Sequence, residues 1–388
     1  MRKILILALA ACTVACTTTT KDKDLEQVDQ VTLLSALPIG NNDSVKGVSA
    51  PFAGFVNDQV FVAGGCNFPT TPASQGGKKE YYKSIYTYDL ETEAWDLIGE
   101  LPRGLGYGAS VVHEGEWICL GGNNNEGSFN TVYSVTFTDS LRIDTLVSLP
   151  VAMDNFAATV SGSRIYAAGG NVNGRIGNKL YALDLNKRDA WNELADFPGA
   201  GRIQPQLLPS KDGKILILGG FQAGNESIEP VLSDTVYQYD PITNKWDMLT
   251  TLPNSTTEDK PLAMVGGFSV AMNDSILLIG GGVNRTKFID ALDVNRQIAL
   301  AKQENKTILM DSLIDNKANY LLHPVEWYQF NPDIYAYNLN DNQWYLLGTF
   351  PQAARAGAGA VTDGTSLYII GGELKPGIRT DEVNQIAF

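Results

Sequence analysis

Histidine and cysteine are scarce in this sequence: two histidines and four cysteines stand among 388 residues. His113 and His323 lie far apart in unrelated contexts, so a histidine-ligated metal site is not expected. Cys66 and Cys119 are the cysteines outside the N-terminal region, too few to define a disulfide framework. They could form a pair or remain as buried free thiols.

Positive charge is also in short supply. The chain has 29 Lys and Arg against 43 Asp and Glu, a formal net charge of −14 at pH 7. This acidic balance argues against nucleic acid, or an anionic membrane surface, as a general partner, because the summed field repels both. A small anionic ligand is not excluded, since it responds to its own pocket.

The apolar stretch near the N-terminus covers residues 4–11 and is too short to span a bilayer as a helix. It follows two basic residues and precedes two cysteines, a pattern typical of a bacterial lipoprotein signal. We predict a signal peptide at residues 1–16, lipidation at Cys16 (or Cys12) and a polar tether at residues 17–27. The protein is then a periplasmic or outer-membrane lipoprotein of a Gram-negative bacterium, held to a membrane only by its lipid anchor. An ordinary cleaved signal peptide is the alternative.

Glycine, in contrast, is plentiful, with 38 residues, and much of it occurs in pairs. Six apolar runs end in Gly-Gly, at residues 60–65, 117–122, 165–170, 215–220, 276–281 and 367–372. Most are followed by a short alternating strand and then by a tryptophan strand that ends in Leu-Pro or Phe-Pro. The pattern of each unit therefore predicts a sheet of four short strands. Such sheets bury both of their faces when they pack around a ring.

The two ends of the chain complement each other. Residues 31–38 have the pattern of a fourth strand with no first three before it, whereas residues 357–388 supply three strands with no fourth. The units resemble Kelch repeats over nearly all of the mature chain. The resemblance implies an all-β, six-bladed Kelch-type β-propeller at residues 28–388, closed by N- and C-terminal strands that share one blade. Another β-sandwich is the alternative.

One long insertion, at residues 283–332, interrupts the repeat. Met310, Leu313 and Ile314 fall at helical spacing within it. Because the strands alternate in direction, this insertion and the residues that follow each Gly-Gly reach the same face of the disc, where binding loops usually gather. We interpret the insertion as a partly helical cap over that face; a peripheral packing insert is the alternative.

Several polar residues are candidates for binding a ligand on this face. Four cations follow a Leu-Pro or Phe-Pro corner and enter an innermost strand, namely Arg103, Arg202, Lys260 and Arg355. Their convergence at the channel mouth would suit an anionic ligand, whereas pairing with acidic neighbours is the alternative for some of them. Further candidates lie in the segments after two of the Gly-Gly pairs: Asn67, Lys78, Lys79, Tyr81 and Asn284. A solvated run of charges is the alternative for at least one of the two lysines.

The last Gly-Gly opens the segment Gly-Gly-Glu-Leu-Lys-Pro-Gly-Ile-Arg-Thr-Asp at residues 371–381. This segment resembles the catalytic segment of bacterial N-acetylneuraminate epimerases, the sialic acid mutarotases. In better-known members the equivalent segment lies mid-chain, so this chain resembles a cyclically permuted branch. The resemblance implies that Glu373 is the proton acceptor and that Arg379 is the catalytic arginine, whose planar fork suits a carboxylate. Beside Arg379, Glu373 is expected to stay ionised.

The resemblance implies an isomerase that interconverts the α and β anomers of N-acetylneuraminate by acid/base-assisted ring opening, without a cofactor. A small sugar acid is the expected partner, and the oligomeric state stays open. Copper radical oxidases also use Kelch-like propellers but need two histidines with tyrosines, and the repeated Ser-x-Asp-x-Gly-x-Thr-Trp boxes of sialidases are missing. The remaining alternatives are a related sugar acid as substrate, or a non-catalytic Kelch propeller that binds a glycan or a protein.

Overall fold

The computed structural model of the chain describes residues 28, 30–42 and 45–388. The predicted signal peptide, the predicted lipidation site and the predicted tether lie outside the described residues. β-strand is the main regular secondary structure of the described part, which confirms the prediction of a mainly β protein. Among these residues, no helix is both long enough and apolar enough to cross a membrane.

Within the described residues, six antiparallel sheets follow one another along the chain, each built on a path of four strands; in the first sheet the short strand Glu80–Tyr81 also pairs with the second strand. In every sheet the first-named strand is the innermost one, which contacts the neighbouring sheets. The first three sheets are Ser49–Val56, Gln59–Asn67, Ser84–Asp89 and Ala94–Glu100; Ala109–His113, Glu116–Leu120, Val132–Phe137 and Leu141–Leu146; and Ala157–Ser161, Arg164–Ala168, Leu180–Asp184 and Trp191–Glu193. The last three are Gln206–Pro209, Ile215–Leu218, Thr235–Asp240 and Lys245–Thr251; Gly267–Ala271, Ile276–Gly281, Asp333–Asn338 and Gln343–Thr349; and Gly359–Thr362, Ser366–Ile370, Val383–Ala387 and Gln30–Leu33.

Short strands, helices and 3₁₀ turns fill the connections. The short strands are Glu80–Tyr81, Asn123–Asn124, Gly127–Ser128, Met153–Asp154, Asn171–Val172, Arg175–Ile176, Phe221–Gln222, Val231–Leu232, Glu373–Lys375 and Ile378–Arg379. The α-helices of the described chain are α1 (Arg285–Gln303), α2 (Thr307–Asn319) and α3 (Val325–Tyr328), all inside the insertion where the sequence shows helical spacing. The 3₁₀ turns are Ala73–Gln75, Lys211–Gly213, Tyr320–Leu322 and Pro351–Ala353.

The innermost strands contact one another in cyclic order, and the innermost strand of the last sheet contacts that of the first. A chain of backbone hydrogen bonds runs alongside these contacts, each N–H donating to the equivalent carbonyl of the preceding sheet at 2.7–3.1 Å. The residues that it joins all have positive φ, and they are Gly266, Gly357, Ala50, Tyr107, Asn155 and Gln204. The two chain ends also pair as the sequence predicted, Gln30–Leu33 lying antiparallel to Val383–Ala387.

The repeated tryptophans join neighbouring sheets. Each donates its indole N–H at 2.9–3.1 Å to a carbonyl at or just beyond the outermost strand of the sheet before it. The pairs are Trp95 with Ser35, Trp191 with Val147, Trp246 with Ala195, and Trp344 with Thr251. A partly buried indole usually finds an acceptor for its N–H, and here the acceptor belongs to the preceding sheet. The periodic tryptophan therefore provides a hydrogen bond between neighbouring repeats.

The Gly-Gly pairs allow close packing where the second strand of each sheet ends. Gly64 has φ +68°, and a Cβ built there would lie 2.4 Å from the carbonyl oxygen of Leu105. A residue with a side chain would be both sterically blocked and conformationally strained. Cys66, which follows this pair, is buried as a free thiol, and so is Cys119.

Asp333 is a buried carboxylate that ties its sheet to the connection before that sheet, and its loss is expected to destabilise the fold. Its side chain accepts hydrogen bonds from the Thr256 N–H (2.8 Å), the Thr256 hydroxyl (2.7 Å) and the Thr349 hydroxyl (2.9 Å). Asp333→Ala should lower the free energy of unfolding by about 3 kcal/mol, because it removes three hydrogen bonds to a buried carboxylate. Denaturant unfolding measures the change, with Asp311→Ala on the exposed side of α2 as control. Equal stability of the two variants would contradict this role.

Candidate active site between the helices and the innermost strands

A cavity of about 1150 Å³ lies where the helical insertion meets the ends of the innermost strands. One side is lined by residues of the backbone chain described above, including Tyr107, Gln204 and Gly357. The other side is lined by α1, α2 and the aromatic segment that follows them, with Tyr320 and Trp327 among its members. Glu373 also lines this cavity. In the part of the chain that the structure describes, no group of three or more His, Cys, Asp and Glu side chains could hold a metal ion.

Glu373 is held firmly by its backbone. It opens a tight hairpin formed by Glu373–Lys375 and Ile378–Arg379. Its N–H donates to the Ala356 carbonyl at 2.7 Å, and the Ala356 N–H donates back to the Glu373 carbonyl at 2.9 Å. Ala356 precedes a residue of the backbone chain, so the carboxylate is fixed to the rigid centre of the molecule.

The carboxylate of Glu373 forms an ion pair with Arg379. Arg379 Nη2 lies 2.5 Å from Glu373 Oε1, and the side chains are 1% and 21% exposed, respectively. The guanidinium carbon lies 4.6 Å from the centre of the Phe68 ring, a cation–π contact. The Nε and Nη1 atoms of Arg379 are buried and have no hydrogen-bond partner among the described residues. In this conformation Arg379 therefore contacts Glu373 and Phe68, and the N–H groups at its Nε and Nη1 donate no hydrogen bond within the described part of the chain.

Burial raises the pKa of the Glu373 carboxyl above its usual value, although the charges of Arg379 and Lys79 and the Gly377 N–H all act to lower it. The sequence-based expectation that Arg379 keeps this group ionised gave the direction of the arginine's effect correctly. It did not include desolvation, which is the larger contribution here. A carboxylate with a raised pKa is a stronger base once it is deprotonated.

Tyr107 is a site residue that the sequence reasoning missed. Its hydroxyl oxygen accepts a hydrogen bond from Lys79 Nζ at 2.7 Å and lies 3.6 Å from the Cys66 thiol, which donates to it. Burial raises the pKa of Tyr107 well above its usual value, and the charges of Cys66 and Glu373 add to the shift. The sequence did contain a signal for Tyr107. This residue stands just before an innermost strand, and side chains at that position were expected to reach the ligand-binding face of the disc.

A family model described as N-acetylneuraminate epimerase matches residues 12–143 and 146–388. The chain belongs to the N-acetylneuraminate epimerase family. Among its relatives, the N-acetylneuraminate epimerase of Salmonella typhi is 32% identical over 252 residues, which cover 64% of this chain and 60% of the relative. The N-acetylneuraminate epimerase of Haemophilus influenzae (strain 86-028NP) is 32% identical over 259 residues, 66% of this chain and 63% of the relative. The match thus spans less than two thirds of the length of these relatives.

A solved structure, the structure of YjhT, is also similar. It superposes with a TM-score of 0.52 at 27% sequence identity, over 63% of this chain and 65% of that chain. Over that part of the chain, the likeness shows a fold shared with a protein of known structure.

The four cations predicted at the channel mouth are not brought together in this member of the epimerase family. Among the described residues that line the cavity, none is one of these four. Arg355 is buried, pairs with Glu382 at 2.9 Å and donates to the Gly371 carbonyl at 3.1 Å. Arg202 donates to the Gly219 carbonyl at 3.4 Å, and burial lowers its pKa to about 10. Both arginines turn back towards the Gly-Gly pair of their own sheet, because its carbonyl needs a donor.

The other two cations are also engaged elsewhere. The Arg103 guanidinium lies 4.4 Å from the centre of the Phe129 ring. The Lys260 ammonium donates to the Thr286 hydroxyl at 2.8 Å, at the start of α1. The predicted convergence of four cations on one anionic ligand is therefore not found among the described residues that line the cavity.

The remaining predicted residues are Lys78, Lys79, Tyr81 and Asn67, which are not among the residues that line the large cavity, and Asn284, which is. Lys78, Lys79 and Tyr81 line a smaller pocket of about 460 Å³, and burial raises the pKa of Tyr81 to about 12. Asn67 is buried and its amide donates to the carbonyls of Lys46 and Gly47. The side-chain amide of Asn67 thus already holds a loop. A role of Asn67 in ligand binding stays a prediction.

Asn284 lies on the cavity side of the insertion. Its side chain accepts a hydrogen bond from the Lys287 N–H at 3.0 Å and caps α1. Glu258 accepts hydrogen bonds from two further amides at this helix end, Arg285 N–H at 2.7 Å and Thr286 N–H at 3.2 Å. The helix N-terminus is thus attached to the sheet region before it reaches over the cavity.

Lys375 joins the Glu373 hairpin to the far end of the insertion. Its ammonium donates to the carbonyls of His323 (2.6 Å) and Leu321 (3.3 Å). Lys375→Met should release this attachment and raise amide exchange about tenfold in residues 320–328, since it removes two charge-assisted bonds. Hydrogen–deuterium exchange by mass spectrometry measures the effect, with Lys302→Met at the exposed end of α1 as control. Unchanged exchange in both variants would show that the hairpin does not hold this segment.

Proposed function

We propose that the protein is a mutarotase that interconverts the α and β anomers of N-acetylneuraminate. The observation that carries this proposal is the Glu373–Arg379 pair, with Glu373 in a large cavity and its pKa raised by burial. The names of the relatives support the same substrate.

The reaction opens the ring of a cyclic keto sugar acid and closes it again on the other face of the C2 carbonyl. Glu373 takes the proton from the anomeric hydroxyl, the oxygen's electron pair forms the C2 carbonyl, and the bond between C2 and the ring oxygen breaks. The ring oxygen gains a proton as it leaves. Rotation about the neighbouring bond and reversal of the steps then produce the other anomer. Arg379 stabilises the carboxylate form of Glu373, so that the base is available.

We propose also that the six sheets are the blades of a closed Kelch-type β-propeller at residues 28–388. The cyclic contacts of the innermost strands and the paired chain ends support it. The order of blades fits a cyclic permutation, which a closed ring tolerates because spatial neighbours are kept. The insertion at residues 283–332 then acts as a cap, and the N-terminal signal makes the protein an exported lipoprotein.

The experiment that tests the function is one-dimensional proton NMR of N-acetylneuraminate freshly released as its α anomer by a sialidase. The purified mature protein should speed the approach to the β-rich equilibrium in proportion to its concentration. A folded protein that binds the sugar acid without speeding the exchange would favour a non-catalytic glycan-binding role. Neither binding nor acceleration would remove N-acetylneuraminate as substrate, and related keto sugar acids would then be tried in the same assay.

A further inference from the structure

The proposed reaction needs a second proton-transfer group, because the ring oxygen must gain a proton when Glu373 removes one from the anomeric hydroxyl. Arg379 is poorly suited to this step. A guanidinium does not release its proton in proteins, and this side chain is 1% exposed beneath Glu373. The donor has to be another group that lines the cavity near Glu373.

Tyr107 is placed for that step. It lines the same cavity as Glu373, and its backbone belongs to the chain of hydrogen bonds that joins the innermost strands. Its N–H donates to the Ala50 carbonyl, and the Ala50 N–H donates to the Gly357 carbonyl, next to the residue that holds Glu373. Tyr107 has φ +58°, a left-handed conformation that a bulky residue rarely adopts. Such strain is retained where the surrounding structure fixes a side chain in place.

The hydrogen bonds of Tyr107 leave its own proton available. The hydroxyl oxygen accepts from the Lys79 ammonium and from the Cys66 thiol, so its acceptor positions are occupied. The phenol stays protonated at neutral pH, since burial and the nearby Glu373 raise its pKa. The remaining polar capacity of the group is therefore a donor O–H. The Lys79 ammonium beside it can supply a replacement proton.

We propose that Tyr107 donates the proton to the ring oxygen and that Lys79 replaces it in the same step. This inference rests on the mutarotase function proposed above. As the bond between C2 and the ring oxygen breaks, the Tyr107 proton moves to the ring oxygen and a Lys79 proton moves to the Tyr107 oxygen. The open-chain complex thus holds protonated Glu373 and neutral Lys79. On ring closure every proton returns, and no oxidant, reductant or other reactant is needed.

Tyr107→Phe tests the donor directly, since it keeps the ring and removes the hydroxyl. We expect kcat for anomer exchange to fall about 100-fold, while the Kd for N-acetylneuraminate, measured by calorimetry, changes less than about threefold. Tyr82→Phe, a partly buried tyrosine outside the cavity lining, is the matched control and should keep the wild-type rate. A Tyr107→Phe rate within threefold of wild type, with Glu373→Gln inactive, would overturn the inference and leave the function standing.

Two substitutions of Lys79 test the resupply of the proton and remain informative if Tyr107→Phe does not fold. Arginine can still donate a hydrogen bond to the tyrosine oxygen but does not release a proton, whereas methionine does neither. We expect Lys79→Arg and Lys79→Met both to lower kcat at least about tenfold. Full activity of Lys79→Arg would overturn the transfer from Lys79. No acceleration by the wild-type protein would overturn the proposed function and this inference with it.

Discussion

Glu373→Gln should slow anomer exchange about 10²- to 10⁴-fold, the range that a positioned general base supplies. The amide keeps the size of the side chain and can still accept a hydrogen bond from Arg379, but it cannot take a proton. The loss is expected in kcat, with binding of N-acetylneuraminate largely kept, because the cavity walls stay intact. The NMR assay with sialidase-released α anomer measures it after subtraction of the spontaneous rate.

The matched control for this variant is Glu326→Gln, an exposed glutamate on α3. It also removes one negative charge, but from the insertion and not from the Glu373 hairpin, and should exchange anomers at the wild-type rate. Circular dichroism and thermal unfolding of both variants check that the fold is kept. A Glu373→Gln protein that is folded and retains the wild-type rate would remove Glu373 from the mechanism.

Arg379→Met should lower the rate at neutral pH at least about tenfold and move the acidic limb of the pH–rate profile to higher pH. Arg379 lowers the pKa of Glu373, so its removal lets that pKa rise further. A larger fraction of Glu373 is then protonated at pH 7, and protonated Glu373 cannot act as the base. Activity should recover in part as the pH is raised, once the spontaneous rate at each pH has been subtracted.

The comparison with Arg379→Lys separates charge from shape. Lysine keeps a cation near Glu373, so the acidic limb should stay closer to that of the wild type, although the two-pronged geometry is lost. If Arg379→Met instead raises KM and leaves the pH profile in place, Arg379 acts on the substrate carboxylate and not through Glu373. That outcome would require Phe68 to move, because it covers the guanidinium in this structure.

Much of the fold could be predicted because its signals are local and repeat. The Gly-Gly pairs recur because a neighbouring backbone leaves no room for a Cβ, as at Gly64. The tryptophans recur because each, like Trp246, bonds to the preceding sheet. Glu373 and Arg379 could be singled out because their segment resembles the catalytic segment of N-acetylneuraminate epimerases. The structure adds that backbone pairing across one hairpin brings the two side chains together.

What the sequence alone determined is the mainly β repeat, the pairing of its two ends and the hairpin that carries the ion pair. The tertiary structure decided which side chains share the cavity. Arg202 and Arg355 follow the expected corners but turn towards glycine carbonyls, and Tyr107, which carries no motif, meets Lys79 across a loop. Burial also raises the pKa of the Glu373 carboxyl, whereas the sequence predicted that Arg379 would keep this group ionised. Strand patterns depend on neighbours a few residues away, whereas side-chain direction and desolvation depend on atoms that the fold brings in from distant parts of the chain.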